Sequence, residues 1–174
     1  MSRLSTLVNP LNDIARIVLN VCVIMLGVLI VFEVISGHWH TPNGHHDSNA
    51  IGRRIAWAAN GQSKRTVVIA LRASCKFCAA SMPFYSRLLS MAQERKNLQI
   101  VAVMESSVED SNKYLHSKAI LFSAVRQDSL ETLGVDGTPA ILVLDGRGVV
   151  RHSWLGLLNK DAERDAAKEI MEDL

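Results

Sequence analysis

Apolar and polar positions divide the chain into two parts. Residues 14–35 read IARIVLNVCVIMLGVLIVFEVI, with no charge between Val21 and Phe32. As a helix at about 1.5 Å per residue this run spans about 33 Å, against a hydrocarbon core of about 30 Å. It predicts one transmembrane helix over 14–35, with Arg16 and Glu33 near its ends and Asn20 inside. Residues 36–49 (SGHWHTPNGHHDSN) are dense in turn formers and predict a linker over 36–50, ahead of a folded domain over 51–174.

Within that domain the period of the pattern alternates. Residues 54–57 predict a short strand and Asn60-Gly61 a turn. Residues 66–71 (TVVIAL) form a continuous β-branched run, as in a strand buried on both faces. Phe77, Ala80, Phe84, Leu88 and Met91 recur at spacings of three and four, predicting a helix with one apolar stripe and a kink at Pro83. Strands follow over 98–104, 120–125 and 140–144. A polar helix is predicted over 107–118 and a short one over 128–133, capped by Asp128. The DGRG turn at 145–148 returns the chain as a hairpin over 149–154. A closing helix over 159–174 is capped by Asn159 or Asp161. Such alternation predicts an α/β domain: a central mixed β-sheet flanked by helices, preceded by the transmembrane helix.

Composition and charge narrow the function. A content of 48% hydrophobic and 21% charged residues excludes a disordered chain. A net charge of +2, without any Lys/Arg run, excludes nucleic acid as a partner. Arg3 and Arg16 lie on the N-terminal side of the apolar run, and no Lys or Arg follows it until Arg53. The positive-inside rule therefore predicts a short cytoplasmic N-terminus over 1–13 and an extracytoplasmic domain. This describes a single-pass protein of the inner (cytoplasmic) membrane, its C-terminal domain on the periplasmic side and the lipid bilayer its partner through residues 14–35. A cleaved signal peptide is the competing reading. The run is longer than a usual signal core, and Val34-Ile35-Ser36-Gly37-His38 offers no small-residue cleavage site.

The candidate chemistry lies at Cys75-Lys76-Phe77-Cys78, between a predicted strand and a predicted helix. Two thiols at this spacing can close across one helical turn. Cys75, at the helix N-terminus, lies where backbone N–H groups and the macrodipole favour an anion, and Lys76 adds positive charge. Cys75 is thus the candidate nucleophile, and Cys78 the thiol placed to resolve a mixed disulfide. Cys22 reads as an apolar filler of the anchor, which leaves the domain no cysteine for a structural disulfide. A zinc half-site is the rival reading of the pair, but no second Cys pair is present and His116 and His152 are isolated. No metal or other cofactor is expected. His38, His40, His45 and His46 fall in the linker and read as a polar membrane-proximal spacer, with a metal site as the alternative. Phe77 fits either client contact or core packing. Pro139, after Gly137-Thr138, fits either a trans-proline opening an edge strand or a cis-proline exposing the Thr138 backbone to an added partner strand.

Over about residues 54–174 the chain resembles the thioredoxin fold. More narrowly, it resembles membrane-anchored extracytoplasmic thioredoxin-like proteins of the bacterial TlpA/ResA type. The resemblance rests on TVVIALRASCKFC, on Pro83 five residues after Cys78, on extra strand–helix material before Leu121, and on GVDGTPAILVLDGRGVV. It implies that Cys75 attacks, that Cys78 resolves, and that Pro139 is the cis-proline. Lys76, Phe77 and Thr138 would then contact the client. It also implies extracytoplasmic client proteins with cysteines or disulfides, and a membrane thiol electron donor that keeps the pair reduced. The chain departs from the pattern at Ser74, where Trp is common, and at Lys76-Phe77, where Pro is frequent. Ser81 and Ile69 stand where relatives carry an acid, so no carboxylate is evident to take the Cys78 proton. The expected activity is reduction of protein disulfides by a thiol–disulfide oxidoreductase. Alternatives are a disulfide donor, a copper metallochaperone using the same cysteines, or a docking module without catalysis.

Overall fold

The computed structural model describes residues 14–29, 45–47, 49–59 and 65–172, in two compact units, residues 1–41 and 42–174. In the first unit, residues 14–29 form helix α1, exposed on all sides. Its large apolar side chains, Ile14 to Leu29, are 53–65% exposed. At about 1.5 Å per residue this stretch covers about 24 Å. Among the described residues no helix is long and apolar enough to cross a membrane. The remainder of the expected span, residues 30–35, lies outside the described residues, as do His38, His40 and the Asn60-Gly61 turn.

The second unit is built on strands β1 (His45–His46), β2 (Arg65–Leu71), β3 (Leu98–Met104), β4 (Ala124–Gln127), β5 (Ala140–Asp145) and β6 (Val150–Leu155). They form one mixed sheet in the order β1-β6-β5-β2-β3-β4. β2 runs parallel to β3 and antiparallel to β5, and β4 joins parallel at the β3 edge. Every residue of β2 is buried, as its unbroken apolar run requires in a central strand.

Alternate strand residues point to opposite faces and feed two cores. On one face Val67, Ile69 and Leu71 pack with α2 (Lys76–Ala92), α3 (Val108–Ser117) and α5 (Lys160–Met171). On the other, Val68 and Ala70 meet Ala50, Ile55 and Leu133 of α4 (Leu130–Leu133). Each fully buried Leu or Ile contributes about 1.5–3 kcal/mol. Local polar groups set the helix starts. Ser107 Oγ accepts from Asp110 N at 3.1 Å and Asn159 Oδ1 from Ala162 N at 2.8 Å.

Several expected elements are displaced. Residues 54–57 are not a strand: Arg54 makes only an isolated bridge with Val149, and Ala56–Ala58 is a 3-10 turn. The strand expected over 120–125 begins at Ala124, because Ile120 is drawn into the core under α3 and leaves the sheet direction. Ser129, not Asp128, caps α4. The Asp128 carboxylate instead accepts from Trp57 Nε1 at 3.0 Å and from Ser129 N at 2.8 Å. The buried face of α2 is Cys78, Ser81, Met82, Phe84, Tyr85 and Leu88; Phe84 and Leu88 of the expected stripe lie on it, while Phe77 is half-buried and Ala80 and Met91 are exposed. Ser81 tolerates burial because its hydroxyl donates to Phe77 O at 2.9 Å. The helix runs on through Pro83, which faces outward. His45 and His46, placed in the linker by composition, pair with Leu155 and Trp154 at the sheet edge.

The β5–β6 turn is held by one carboxylate. Asp145 Oδ1 accepts from Arg147 N at 2.9 Å and Val149 N at 3.0 Å, and Oδ2 takes the Arg151 guanidinium at 2.6 Å. Partial burial works against its charge, but the Val149 N–H, Arg151 and the Arg147 N–H outweigh it and lower its pKa from 3.8 to about 2. A depressed carboxylate stabilises the fold fully above its unfolded pKa and loses that contribution as pH falls through the folded value. Asp145→Asn is therefore expected to be less stable than the parent at neutral pH. The gap should close between about pH 4 and pH 2, as measured by urea denaturation midpoints across pH.

Candidate functional site

The site forms where three strand ends meet. β2 ends at Leu71, and Arg72-Ala73-Ser74 turns the chain into α2. Because β5 is antiparallel to β2, with Ala70 opposite Ala140, the residues just before β5 return to the end of β2. Thr138-Pro139 is cis and lies there. The two motifs, distant in sequence, become neighbours through this register: Cys75 Sγ donates to Thr138 O at 3.3 Å.

Cys75 is the N-cap of α2. Its backbone is extended, its sulfur accepts the Cys78 N–H at 3.1 Å, and its carbonyl accepts from Ala79 N at 3.2 Å. The sulfur thus does the work that a Ser or Asp oxygen usually does at a helix start. Cys75 is half-buried, whereas Cys78 is fully buried in the α2-side core. Partial burial pushes the Cys75 thiol up. Hydrogen bonds from the Cys78 thiol, the Cys78 N–H and the Thr138 side chain more than offset this and hold it below the usual cysteine range. Burial, reinforced by the hydrogen bond given to Cys75, pushes the Cys78 thiol up to about 12. The two sulfurs are thus shifted in opposite directions, the exposed one down and the buried one up.

Lys76 is exposed, with its ammonium 5.0 Å from the centroid of the Phe77 ring. Phe77 is half-buried and belongs to neither core cluster. The six residues singled out in the sequence, Cys75, Lys76, Phe77, Cys78, Thr138 and Pro139, fall within one neighbourhood. Sequence reasoning missed Arg72 and Glu105. Their ion pair, 2.6 Å long, bridges the ends of β2 and β3 beside the thiols. Each is the first residue after a buried strand, a positional signal that the alternating pattern does carry. Ile69 is buried in β2. Among the described residues no three His, Cys, Asp or Glu side chains gather to hold a metal.

No family model and no curated protein matches the chain. Solved structures do. A thiol-disulfide isomerase from Corynebacterium glutamicum superposes with a TM-score of 0.52 at 16% identity, over 66% of this chain and 85% of its own. The thioredoxin domain of a thiol-disulfide oxidoreductase from Bacteroides vulgatus gives 0.50 at 21% identity, over 65% and 83%. A thioredoxin family thiol:disulfide interchange protein from Chlorobium tepidum gives 0.51 at 16% identity, over 75% and 94%. The domain has a thioredoxin-like α/β fold.

The two thiols should differ sharply in reactivity. In the reduced chain at neutral pH, Cys75 is expected to be alkylated at least about 10-fold faster than Cys78. Peptide-resolved mass spectrometry of a timed iodoacetamide reaction measures this; equal rates would contradict the assigned environments.

Proposed function

We propose that the protein is a membrane-tethered extracytoplasmic thiol–disulfide oxidoreductase that reduces protein disulfides. The observation that carries this reading is the half-buried Cys75 sulfur at the α2 N-terminus, accepting the Cys78 N–H with the Cys78 thiol buried behind it. In the proposed cycle the Cys75 thiolate attacks a client disulfide, forming a mixed disulfide and releasing one client thiolate. The Cys78 sulfur, deprotonated, then attacks Cys75. The Cys75–Cys78 bond forms, the bond to the client breaks, and the second client thiolate leaves with the electron pair. The client leaves reduced by two electrons and the pair is oxidised, to be returned to the dithiol by a membrane thiol donor.

The Thr138 backbone beside Cys75 offers an extended client segment a strand to pair with, next to Pro139. Lys76 and Phe77 flank the nucleophile on the helix side. The anchor is supported by α1, whose exposed surface is predominantly apolar, with Arg16 and Asn20 its polar exceptions, and suits lipid better than water. Arg3 ahead of it and Arg16 in its first turn favour a cytoplasmic N-terminus and an extracytoplasmic domain.

Equilibration against defined thiol buffers gives the reduction potential of the Cys75/Cys78 couple in the full chain. A value near or below about −250 mV supports a reductase, and one near −120 mV identifies a disulfide donor instead. Cys75→Ser is expected to abolish disulfide reduction, and Cys78→Ser to accumulate a client mixed disulfide visible on a non-reducing gel. Full reductase activity in Cys75→Ser would refute the mechanism. The full chain should also stay with the membrane after alkaline washing; quantitative release would refute the anchor.

A further inference from the structure

Three strand ends lie in register at the dithiol end of the sheet: Leu71 of β2 pairs with Met104 of β3, and Met104 with Gln127 of β4. The chain leaves β2 through Arg72-Ala73-Ser74-Cys75, a turn closed by the Cys75 N–H on Arg72 O at 3.1 Å. Ala73 and Ser74 are small and exposed, so the turn draws little packing from its own middle residues. Yet this turn sets the direction from which the Cys75 sulfur meets the Cys78 N–H. The Arg72 side chain is what ties it to the sheet.

That side chain reaches across to the residue after β3. Its Nε and Nη2 donate to Glu105 Oε2 at 3.2 and 2.6 Å. Glu105 is held in turn from β4, its carbonyl accepting from Gln127 Nε2 at 3.1 Å. An unbroken series of contacts therefore runs from β4 to the nucleophile. Gln127 holds Glu105, Glu105 holds Arg72, Arg72 O takes the Cys75 N–H, and the Cys75 sulfur takes the Cys78 N–H at 3.1 Å. The Arg72 and Glu105 side chains are 50% and 45% exposed, and pairs so exposed add little to stability. Two guanidinium donors on one carboxylate oxygen do, however, fix the direction of the side chain that carries them.

We propose that Arg72 and Glu105 form a positioning clasp that holds the 72–75 turn, and with it the Cys75 sulfur, in line with the N-terminus of α2. The inference rests on the oxidoreductase reading above. With the clasp closed, the sulfur keeps the Cys78 N–H, a hydrogen bond that strengthens when the sulfur is anionic. With the clasp open, the turn can shift and that bond weakens. Arg72 is also a cation and Glu105 an anion, so a purely electrostatic role makes a different prediction. The charged or titratable groups around Cys75 are Arg72 before it, Lys76, Cys78 and Tyr85 in α2, Tyr114 in α3, Glu105 after β3, and Asp136 ahead of Thr138.

The test follows alkylation of Cys75 by iodoacetamide across pH in the full reduced chain, resolved by peptide mass spectrometry. Arg72→Gln and Glu105→Gln each open the clasp and should act alike. Each should move the pH midpoint of Cys75 upward and slow its alkylation about 3-fold on the acid side, the variants converging with the parent in alkali. Charge alone predicts opposite signs, because Glu105→Gln would unmask the Arg72 cation and move the midpoint down. Thermal melts check folding and should hardly change, since the pair is exposed. Midpoints that move in opposite directions, fall together or stay where they are would overturn the clasp while leaving the oxidoreductase reading intact. Failure of the parent to close the Cys75–Cys78 disulfide on mixing with dithiobis(nitrobenzoate) would overturn that reading itself.

Discussion

The 3.1 Å hydrogen bond from the Cys78 N–H to the Cys75 sulfur is the contact on which the rest of the site depends. It makes one side chain both the N-cap of α2 and the exposed member of the dithiol. A helix start leaves N–H groups without intrahelical partners, and these favour negative charge. Using sulfur as the cap therefore couples the stability of the helix terminus to the ionisation of the thiol. The anionic form of Cys75 is the better cap, and the cap adds to the hydrogen bond from the Cys78 thiol in lowering its pKa.

That contact is fixed in space by packing from both sides. β2 is buried along its whole length between β3 and β5, so its C-terminal end cannot drift. α2 is held against the same face by Cys78, Met82, Tyr85 and Leu88. Cys78 is thereby a core residue and a reactive thiol at once. Burial keeps it protonated at rest and leaves it waiting behind Cys75.

Much of this was legible in the chain. The unbroken run at 66–71, the strand at 98–104 and the DGRG hairpin appear where the pattern puts them, since central strands and tight turns carry strong local signals. The failures share a cause. The segment at 54–57 has strand-like composition, but its backbone turns at Ala56–Ala58 to lay Ile55 and Ala58 on the sheet. Ile120 is apolar because α3 needs it, not because a strand passes through it. The α2 stripe left out Ser81 and Cys78, which do not look like core residues until their partners are known.

Taken alone, the sequence determined the elements, the alternating α/β order, the apolar N-terminal run and the thiol pair at a strand–helix junction. These are set by local periodicity and by residue chemistry, which act over a few positions. The tertiary structure alone decided that Thr138-Pro139 stands beside Cys75 and that Arg72 pairs with Glu105. Each follows from strand order and register, β5 antiparallel to β2 and β3 parallel to it. Register is set by the burial of two sheet faces at once, and no local window of sequence contains that constraint.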